Sequence, residues 1–249
     1  MQIHWKSGLV PGNIIVSVCT DHQLCHAVLS PGMYRIGDIL EGEHGRIQIT
    51  ASILLPGDVM NRAFLCNYSG NGNSCTEVVR LLRKGFSLGW ITLSDKGSRG
   101  ERVDASGPMI RDTVAEHMEL CFSSGLVIPD ESQILKSTLV DFCLCYGFDM
   151  VFTTGGTGVG PRDITPETTL PLLDKRLEGF ERMMTQASIA KTPHGMISRA
   201  VAGVMGHSLV VNLPGSPKAV RENLMAIMPA IKHAIEKIQG DMSDCGKPA

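Results

Sequence analysis

The sequence predicts an α/β chain: a three-layer, mostly parallel sheet with helices on both faces, preceded by a small mostly-β domain. Three observations predict it. From Phe86 onward, apolar runs of strand length alternate with segments of helical apolar spacing, the pattern of a sheet covered on both faces. Before Phe86 the periodicity is of β type and is broken by turn signals. Between the two, residues 67–74 read Asn-Tyr-Ser-Gly-Asn-Gly-Asn-Ser, the composition of a flexible link. The implied divisions are a β-rich domain over 1–68, a linker with a short helix over 69–85, the α/β domain over 86–240 and a flexible tail over 241–249.

In the first third, residues 14–19 are rich in β formers, and Ile47, Ile49, Ala51 and Ile53 alternate with polar neighbours. Pro31-Gly32, Gly37-Asp38 and Pro56-Gly57 mark turns. A short helix is expected next, with Thr76 as N-cap, Val78, Val79, Leu81 and Leu82 as its apolar face, and Gly85 at its end. Residues 88–93 then form a buried-type strand. A helix over 108–122 carries Ile110, Val114, Met118, Cys121 and Phe122, and Pro108 suits its first position. A short strand at 126–128 and a helix over 134–146 with Leu135, Leu139, Phe142 and Cys143 follow. A strand at 149–153 enters a glycine-rich loop. Helices at 166–174 and 180–190, a strand at 209–213 and a long amphipathic helix over 217–238 complete the pattern.

Composition narrows the function classes. Twenty-three basic against 25 acidic side chains give a formal charge of −2, so nothing favours a nucleic-acid partner. Residues 14–19 and 208–213, the longest apolar runs, are far too short to span a bilayer, and no membrane partner is expected. No basic region followed by an apolar stretch opens the chain, so a secretory signal is not expected. The eight cysteines include no C-x-x-C pair, which favours reduced thiols and a cytoplasmic location. Cys143 and Cys145 lie in an apolar run and read as core residues.

In parallel sheets ligands bind beyond the carboxyl ends of the strands, and four loops in this chain occupy such positions. The first, residues 153–163, holds Gly155, Gly156, Gly158 and Gly160 with Thr153, Thr154 and Thr157. Its glycines let backbone N–H groups turn inward as an anion cradle. It is no P-loop, since no Gly-Lys-Ser or Gly-Lys-Thr occurs, and Pro161 spoils a G-x-G-x-x-G match. Thr165 with Pro166 reads as a helix cap, which leaves Asp163 as either a Mg²⁺ ligand or a turn residue. The second loop carries Asp130, a capping-box partner of Gln133 or a second metal ligand. The third, residues 94–100, combines Ser94, Asp95 and basic groups, as a ligand site or any solvated loop does. In the fourth, Ser216 caps the last helix with Pro217 at its first position, and the helix start can also bind an anion.

Cys19, His22, Cys25 and His26 are metal-ligand candidates, but their Cys-x₅-Cys spacing is longer than a zinc knuckle's and no distant second pair is evident, so free thiols and surface imidazoles are the favoured reading. Met183, Met184, Met225 and Met228 fit helix packing. Neither H-E-x-x-H nor G-x-S-x-G occurs.

Taken together, residues 90–95 (Trp-Ile-Thr-Leu-Ser-Asp), 128–131 (Ile-Pro-Asp-Glu), 153–163 with Ile164-Thr165-Pro166-Glu167, Ser198-Arg199 and 212–217 resemble the molybdopterin-binding, or molybdopterin adenylyltransferase, family in order and spacing over about residues 86–240. The resemblance implies a commonly trimeric domain that transfers AMP from Mg·ATP to the terminal phosphate of molybdopterin and releases pyrophosphate. It makes Asp163 and Asp130 the catalytic residues, organising Mg²⁺ around the triphosphate. Thr153, Thr154, Gly155, Gly156, Thr157 and Gly158 would cradle phosphate. Asn212, Pro214, Gly215 and Ser216 would help form the nucleotide pocket, and Ser94, Asp95, Ser198 and Arg199 would line a neighbouring pterin or phosphate site. A homotrimer is implied, with a molybdenum insertase as a further partner. Having both acidic residues favours catalysis over the alternative of a non-catalytic module that binds or delivers molybdopterin, and an insertase-like role lacks the large additional domains it usually brings. Residues 34–40 with 45–51 are faintly similar to the later part of MOSC domains.

Overall fold

The computed structural model of the chain describes residues 1–18, 23–30, 34–54, 62–71 and 73–241. Cys19, His22, the Pro31-Gly32 and Pro56-Gly57 turns and the tail beyond 241 lie outside the described residues. The chain divides into two compact units, Met1–Ser87 and Leu88–Ala249.

The first unit is a mixed sheet. Its strands are β1 (Gln2–Trp5), β2 (Gly12–Val18), β3 (Ala27–Leu29), β4 (Ile39–Glu41), β5 (Gly45–Leu54), β6 (Arg62–Gly70), β7 (Cys75–Val78) and β8 (Arg80–Leu82), in the order β7-β1-β3-β2-β6-β5-β4-β8. The alternation expected on β5 holds at Ile47 and Ile49, both fully buried, and fades at the half-buried Ala51 and Ile53. A bulge between Ile49 and Ala51 explains the change, because one extra residue re-aims every side chain beyond it.

The helix expected within 69–85 is not formed. Residues 75–78 pair antiparallel with β1, and residues 80–82 with β4. Thr76 caps nothing; its hydroxyl meets Nδ1 of His4 at 2.7 Å. The supposed apolar face is split, with Val79 buried and Val78 71% exposed. A carboxylate fixes this arrangement. Glu77 accepts hydrogen bonds from Trp5 Nε1 (2.6 Å), Glu43 N (2.6 Å) and His44 N (3.1 Å), which ties β1, β7 and the turn at 42–45 together. Such charge-assisted bonds outweigh a weak helical preference.

The second unit has β9 (Phe86–Leu93), β10 (Leu120–Ile128), β11 (Met150–Thr154), β12 (Lys175–Arg176), β13 (Ala202–Met205) and β14 (Ser208–Leu213), ordered β10-β9-β11-β14-β13-β12. β11 runs parallel to β9 and β14, whereas β13 and β12 run antiparallel at one edge. The sheet is therefore mixed at this edge, because the two-residue Gly206-His207 hairpin returns β13 against β14, with Gly206 at φ 61°. Every residue of β11 and β14 is buried, so helices cover both faces. The helices are α1 (Asp95–Ser98), α2 (Ser106–Ala115), α3 (Ser132–Val140), α4 (Thr165–Thr169), α5 (Glu178–Ile189) and α6 (Pro217–Ile238).

α6 buries Val220, Leu224, Ile227, Ile231 and Ile235, one stripe at helical spacing, against α2, α5 and β14. Other elements depart from expectation at their ends. α2 stops at Ala115, and residues 120–128 form one long strand. α3 passes into a π-helical turn at Asp141–Tyr146, where Phe142, Tyr146 and Phe148 meet. α4 shortens to one turn followed by a 3₁₀ turn at Leu170–Leu172. Met184 and Met228 are core residues, while Met183 and Met225 are exposed. Burial pushes the Cys143 thiol up to about 12, which suits a packing role, whereas Cys145 is exposed.

Candidate functional site

The loops after β9, β10, β11 and β14 gather at one end of the second sheet. The first contact between them is reciprocal. The Asp95 N–H donates to Asp130 Oδ2 (3.0 Å), and the Asp130 N–H donates to Asp95 Oδ1 (3.1 Å). Asp130 is thus no capping residue. The N-cap of α3 is Glu131, which makes no side-chain cap bond. From the glycine-rich loop, Arg162 clasps Asp95 through Nη2 (2.7 Å to Oδ1) and Nε (3.1 Å to Oδ2). That guanidinium holds the Asp95 carboxyl below its ordinary value. Burial drives Asp130 the other way, and the neighbouring Asp95 and Asp163 charges add to the rise.

The glycine-rich loop is built by left-handed backbone and side-chain ties. Gly155 and Gly156 have φ of 95° and 65°, which only glycine adopts without strain. Thr165 does not cap α4, whose N-cap is Ile164; its hydroxyl donates instead to the Gly155 carbonyl (2.8 Å). Asp163 Oδ2 accepts from the Gly160 N–H (2.7 Å), so this residue does serve the turn. Its Oδ1 accepts no hydrogen bond from the described residues, nor does Oδ1 of Asp130. A Cβ at Gly158 would sit 2.8 Å from Asp163 Oδ2, so the loop leaves room for that carboxylate only with glycine there.

Arg199 stands behind the loop. It donates to the carbonyls of Thr157 (from N, 3.0 Å), Gly158 (from Nε, 2.7 Å) and Asp163 (from Nη2, 2.9 Å), and it pairs with Glu167. Its guanidinium is spent on shaping the loop rather than on a ligand. Two further expected ligand residues are structural. Thr153 and Asn212 are fully buried, and the Asn212 amide donates to the hydroxyls of Thr153 (2.9 Å) and Thr169 (3.1 Å). Ser216 caps α6 as expected, accepting from Ala219 N at 3.3 Å with Pro217 at the first position.

Two cavities flank the loop. The larger, about 360 Å³, is polar and is walled by Ser94, Thr154, Gly155, Gly215 and Ser216. It is also walled by Arg102, Asp104 and Ser106, which the sequence reading did not single out. Asp104 is committed: Oδ1 caps α2 by accepting from the N–H groups of Ser106 and Gly107 (both 3.0 Å), and Oδ2 accepts from Thr92. An acidic residue two positions before Ser106-Gly107-Pro108 is the cap signal that would have revealed it. Arg102 makes no ion pair with the described residues, while Arg99 is paired with Glu101. The smaller cavity, about 220 Å³, has mostly apolar walls and is lined by Thr157, Gly158, Ile197, Ser198, Pro214 and Glu222. No signal in the sequence distinguishes Glu222 from the solvated face of an amphipathic helix.

Among the described residues no group of three or more His, Cys, Asp and Glu is placed to hold a metal. Cys25 is buried, and His26 Nδ1 accepts from Ile15 N (3.1 Å). Among the described residues no helix is long and apolar enough to cross a membrane.

A family profile described as "Probable molybdopterin binding domain" matches residues 89–233, more than half of the chain. The chain belongs to the molybdopterin-binding domain family. It is 37% identical over 158 residues to a molybdopterin adenylyltransferase of Helicobacter pylori, a match that covers 62% of this chain and 88% of that protein. It is 40% identical over 157 residues to the gephyrin of Dictyostelium discoideum, covering 59% of this chain but only 22% of gephyrin. Among solved structures it resembles the molybdopterin biosynthesis enzyme MoaB of Thermus thermophilus, with 43% identity and a TM-score of 0.58 over 63% of this chain and 98% of that one. All three likenesses fall short of two thirds of the present chain.

Proposed function

We propose that this protein is a molybdopterin adenylyltransferase, transferring AMP from ATP to the terminal phosphate of molybdopterin and releasing pyrophosphate. The observation that carries the reading is the pair of cavities of unlike polarity on either side of one glycine-rich loop, where two different substrates can meet. Similarity to proteins named molybdopterin adenylyltransferase supports it.

An oxygen of the pterin phosphate attacks the α-phosphorus of ATP. The bond from that phosphorus to the bridging oxygen breaks, and pyrophosphate leaves with the electron pair. Little covalent work falls to the protein, so positioning and charge stabilisation carry the rate. The polar cavity takes the polyphosphate, with the Ser216 end of the last helix presenting donors; the Thr154 hydroxyl and the Gly155 N–H are tied to the Pro214 and Leu213 carbonyls, and Thr157 and Gly158 line the apolar cavity. Arg102, without an ion-pair partner among the described residues, supplies positive charge there. Ser94 lines the same cavity, and Ser198 lines the apolar one.

Mg²⁺ suits the donor set, because this ion is held by one or two carboxylates together with substrate phosphates rather than by an all-protein cage. Asp163 and Asp130 would hold it, each through the oxygen that no backbone N–H occupies. Bound there, it would offset charge growing on the leaving group. Asp95 is a poor candidate for the same task, since Arg162 takes both of its oxygens. A cytoplasmic homotrimer that passes its product to a molybdenum insertase completes the proposal. Large apolar side chains left exposed, such as Met196 (67%) and Leu144 (51%), support further assembly.

The test is mass spectrometry of the products formed from molybdopterin and ATP with and without Mg²⁺. Adenylylated pterin with released pyrophosphate, both dependent on Mg²⁺, is the expected result. Pterin binding by folded protein with no adenylylated product would overturn the reading in favour of a carrier.

A further inference from the structure

The smaller cavity holds a carboxylate that the fold does not use. Glu222 lies on α6, half-buried, and makes no hydrogen bond or ion pair with the described residues. Its neighbour Asn223 is engaged, with Nδ2 donating to Ser188 Oγ (2.9 Å) and to the Ala219 carbonyl (2.9 Å). No lysine or arginine lines the cavity. A polyphosphate therefore meets the Glu222 carboxylate here, with His194 as the one basic side chain in the lining, whereas the polar cavity offers it Arg102. What the apolar walls and one carboxylate do suit is a flat heterocycle with two hydrogen-bond donors side by side.

The geometry points to Glu222 as the residue that recognises the pterin ring. This assignment rests on the adenylyltransferase reading and deepens it. The aminopyrimidinone edge of a pterin carries N3–H and the 2-amino group pointing the same way, and a carboxylate accepts both at once. Adenine cannot match this, because its 6-amino donor stands beside the N1 lone pair, which faces a carboxylate oxygen unfavourably. The ring would enter between Pro214, Ile197 and the Thr157-Gly158 peptide, with its phosphate-bearing arm directed along the glycine-rich loop towards Asp163. Selectivity then comes from a buried polar group left unpaired whenever the wrong ring binds, the strongest form of discrimination available to a small pocket.

The experiment compares the full chain with Glu222→Gln and Glu222→Asp, using pterin and lumazine as fluorescent ring probes. Lumazine has an oxygen where pterin has the 2-amino group. Wild type is expected to favour pterin over lumazine. Glu222→Gln is expected to lose that preference and to raise KM for molybdopterin by roughly tenfold or more, the effect of losing a charge-assisted pair. KM for ATP and the unfolding midpoint should stay unchanged, and Glu222→Asp should restore part of the preference. Unaltered pterin preference and KM in a folded Glu222→Gln protein would overturn the assignment alone. If the folded wild type binds neither ring and makes no adenylylated product, the assignment and the adenylyltransferase reading fall together.

Discussion

Asp95 and Asp130 each accept a hydrogen bond from the other's backbone N–H, at 3.1 and 3.0 Å. Two like charges are brought together by this exchange, and Arg162 makes it tolerable by clasping Asp95 from the glycine-rich loop. The loops after β9, β10 and β11 are thereby joined through three side chains.

Removal of the clasp should be visible as a pH dependence. Asp95 is held below its ordinary value, chiefly by the Arg162 hydrogen bonds. A depressed folded-state value means that the pair adds stability above the unfolded-state value of about 3.9 and loses it as pH falls through the lower folded value. Arg162→Ala should therefore unfold at a lower temperature than wild type near neutrality, and the gap should close as pH drops below about 3.9. The gap will be small, since Arg162 is exposed. A gap independent of pH would refute this account.

Asp163→Asn should keep the fold, because the asparagine carbonyl can still accept from the Gly160 N–H. AMP transfer should fall by at least about 100-fold, as expected when a charged group that stabilises the transition state is lost. Circular dichroism and product formation, measured side by side, check both halves. Wild-type turnover in the variant would remove Asp163 from the chemistry.

Asn212 predicts the opposite pattern. It is completely buried and ties Thr153 to Thr169. Asn212→Ala should cost about 2–3 kcal/mol, by leaving both hydroxyls short of a donor and opening a gap in the core. Denaturant unfolding reads the cost, and a loss of less than about 0.5 kcal/mol would contradict the structural role assigned to this amide.

Thr113 on α2 is fully buried, and its hydroxyl finds no partner among the described residues. An unpaired buried hydroxyl is a liability, so Thr113→Val should be neutral or stabilising by about 1 kcal/mol. Destabilisation of that size would show that the hydroxyl is satisfied by a buried water.

The α/β order of the second unit was legible in the sequence because its strands are continuous apolar runs and its last helix carries one apolar stripe. The carboxylates Asp130 and Asp163 were legible as acids beyond strand ends. What escaped was set by distant partners. Residues 75–82 carry apolar spacing compatible with a helix, and only Glu77, reaching Trp5 and His44, makes β7 a strand. Arg199 and Asn212 look like ligand groups in a motif, yet their partners lie about ten to sixty positions away and belong to the protein's own framework. Glu222 reads as one more charge on a solvated face until the fold places it beside a cavity.

Three carbonyls of the glycine-rich loop, those of Thr157, Gly158 and Asp163, converge on the one arginine behind it. In a planar trans peptide the N–H points opposite to the C=O, so the amides of Gly158, Val159 and Ile164 are turned to the other side. The loop is a polarised ribbon, oxygens to the rear and nitrogens to the front, and its polarity is imposed by a residue just ahead of β13. Grafted onto another scaffold by itself, this stretch of glycines and threonines would keep its composition and lose its orientation.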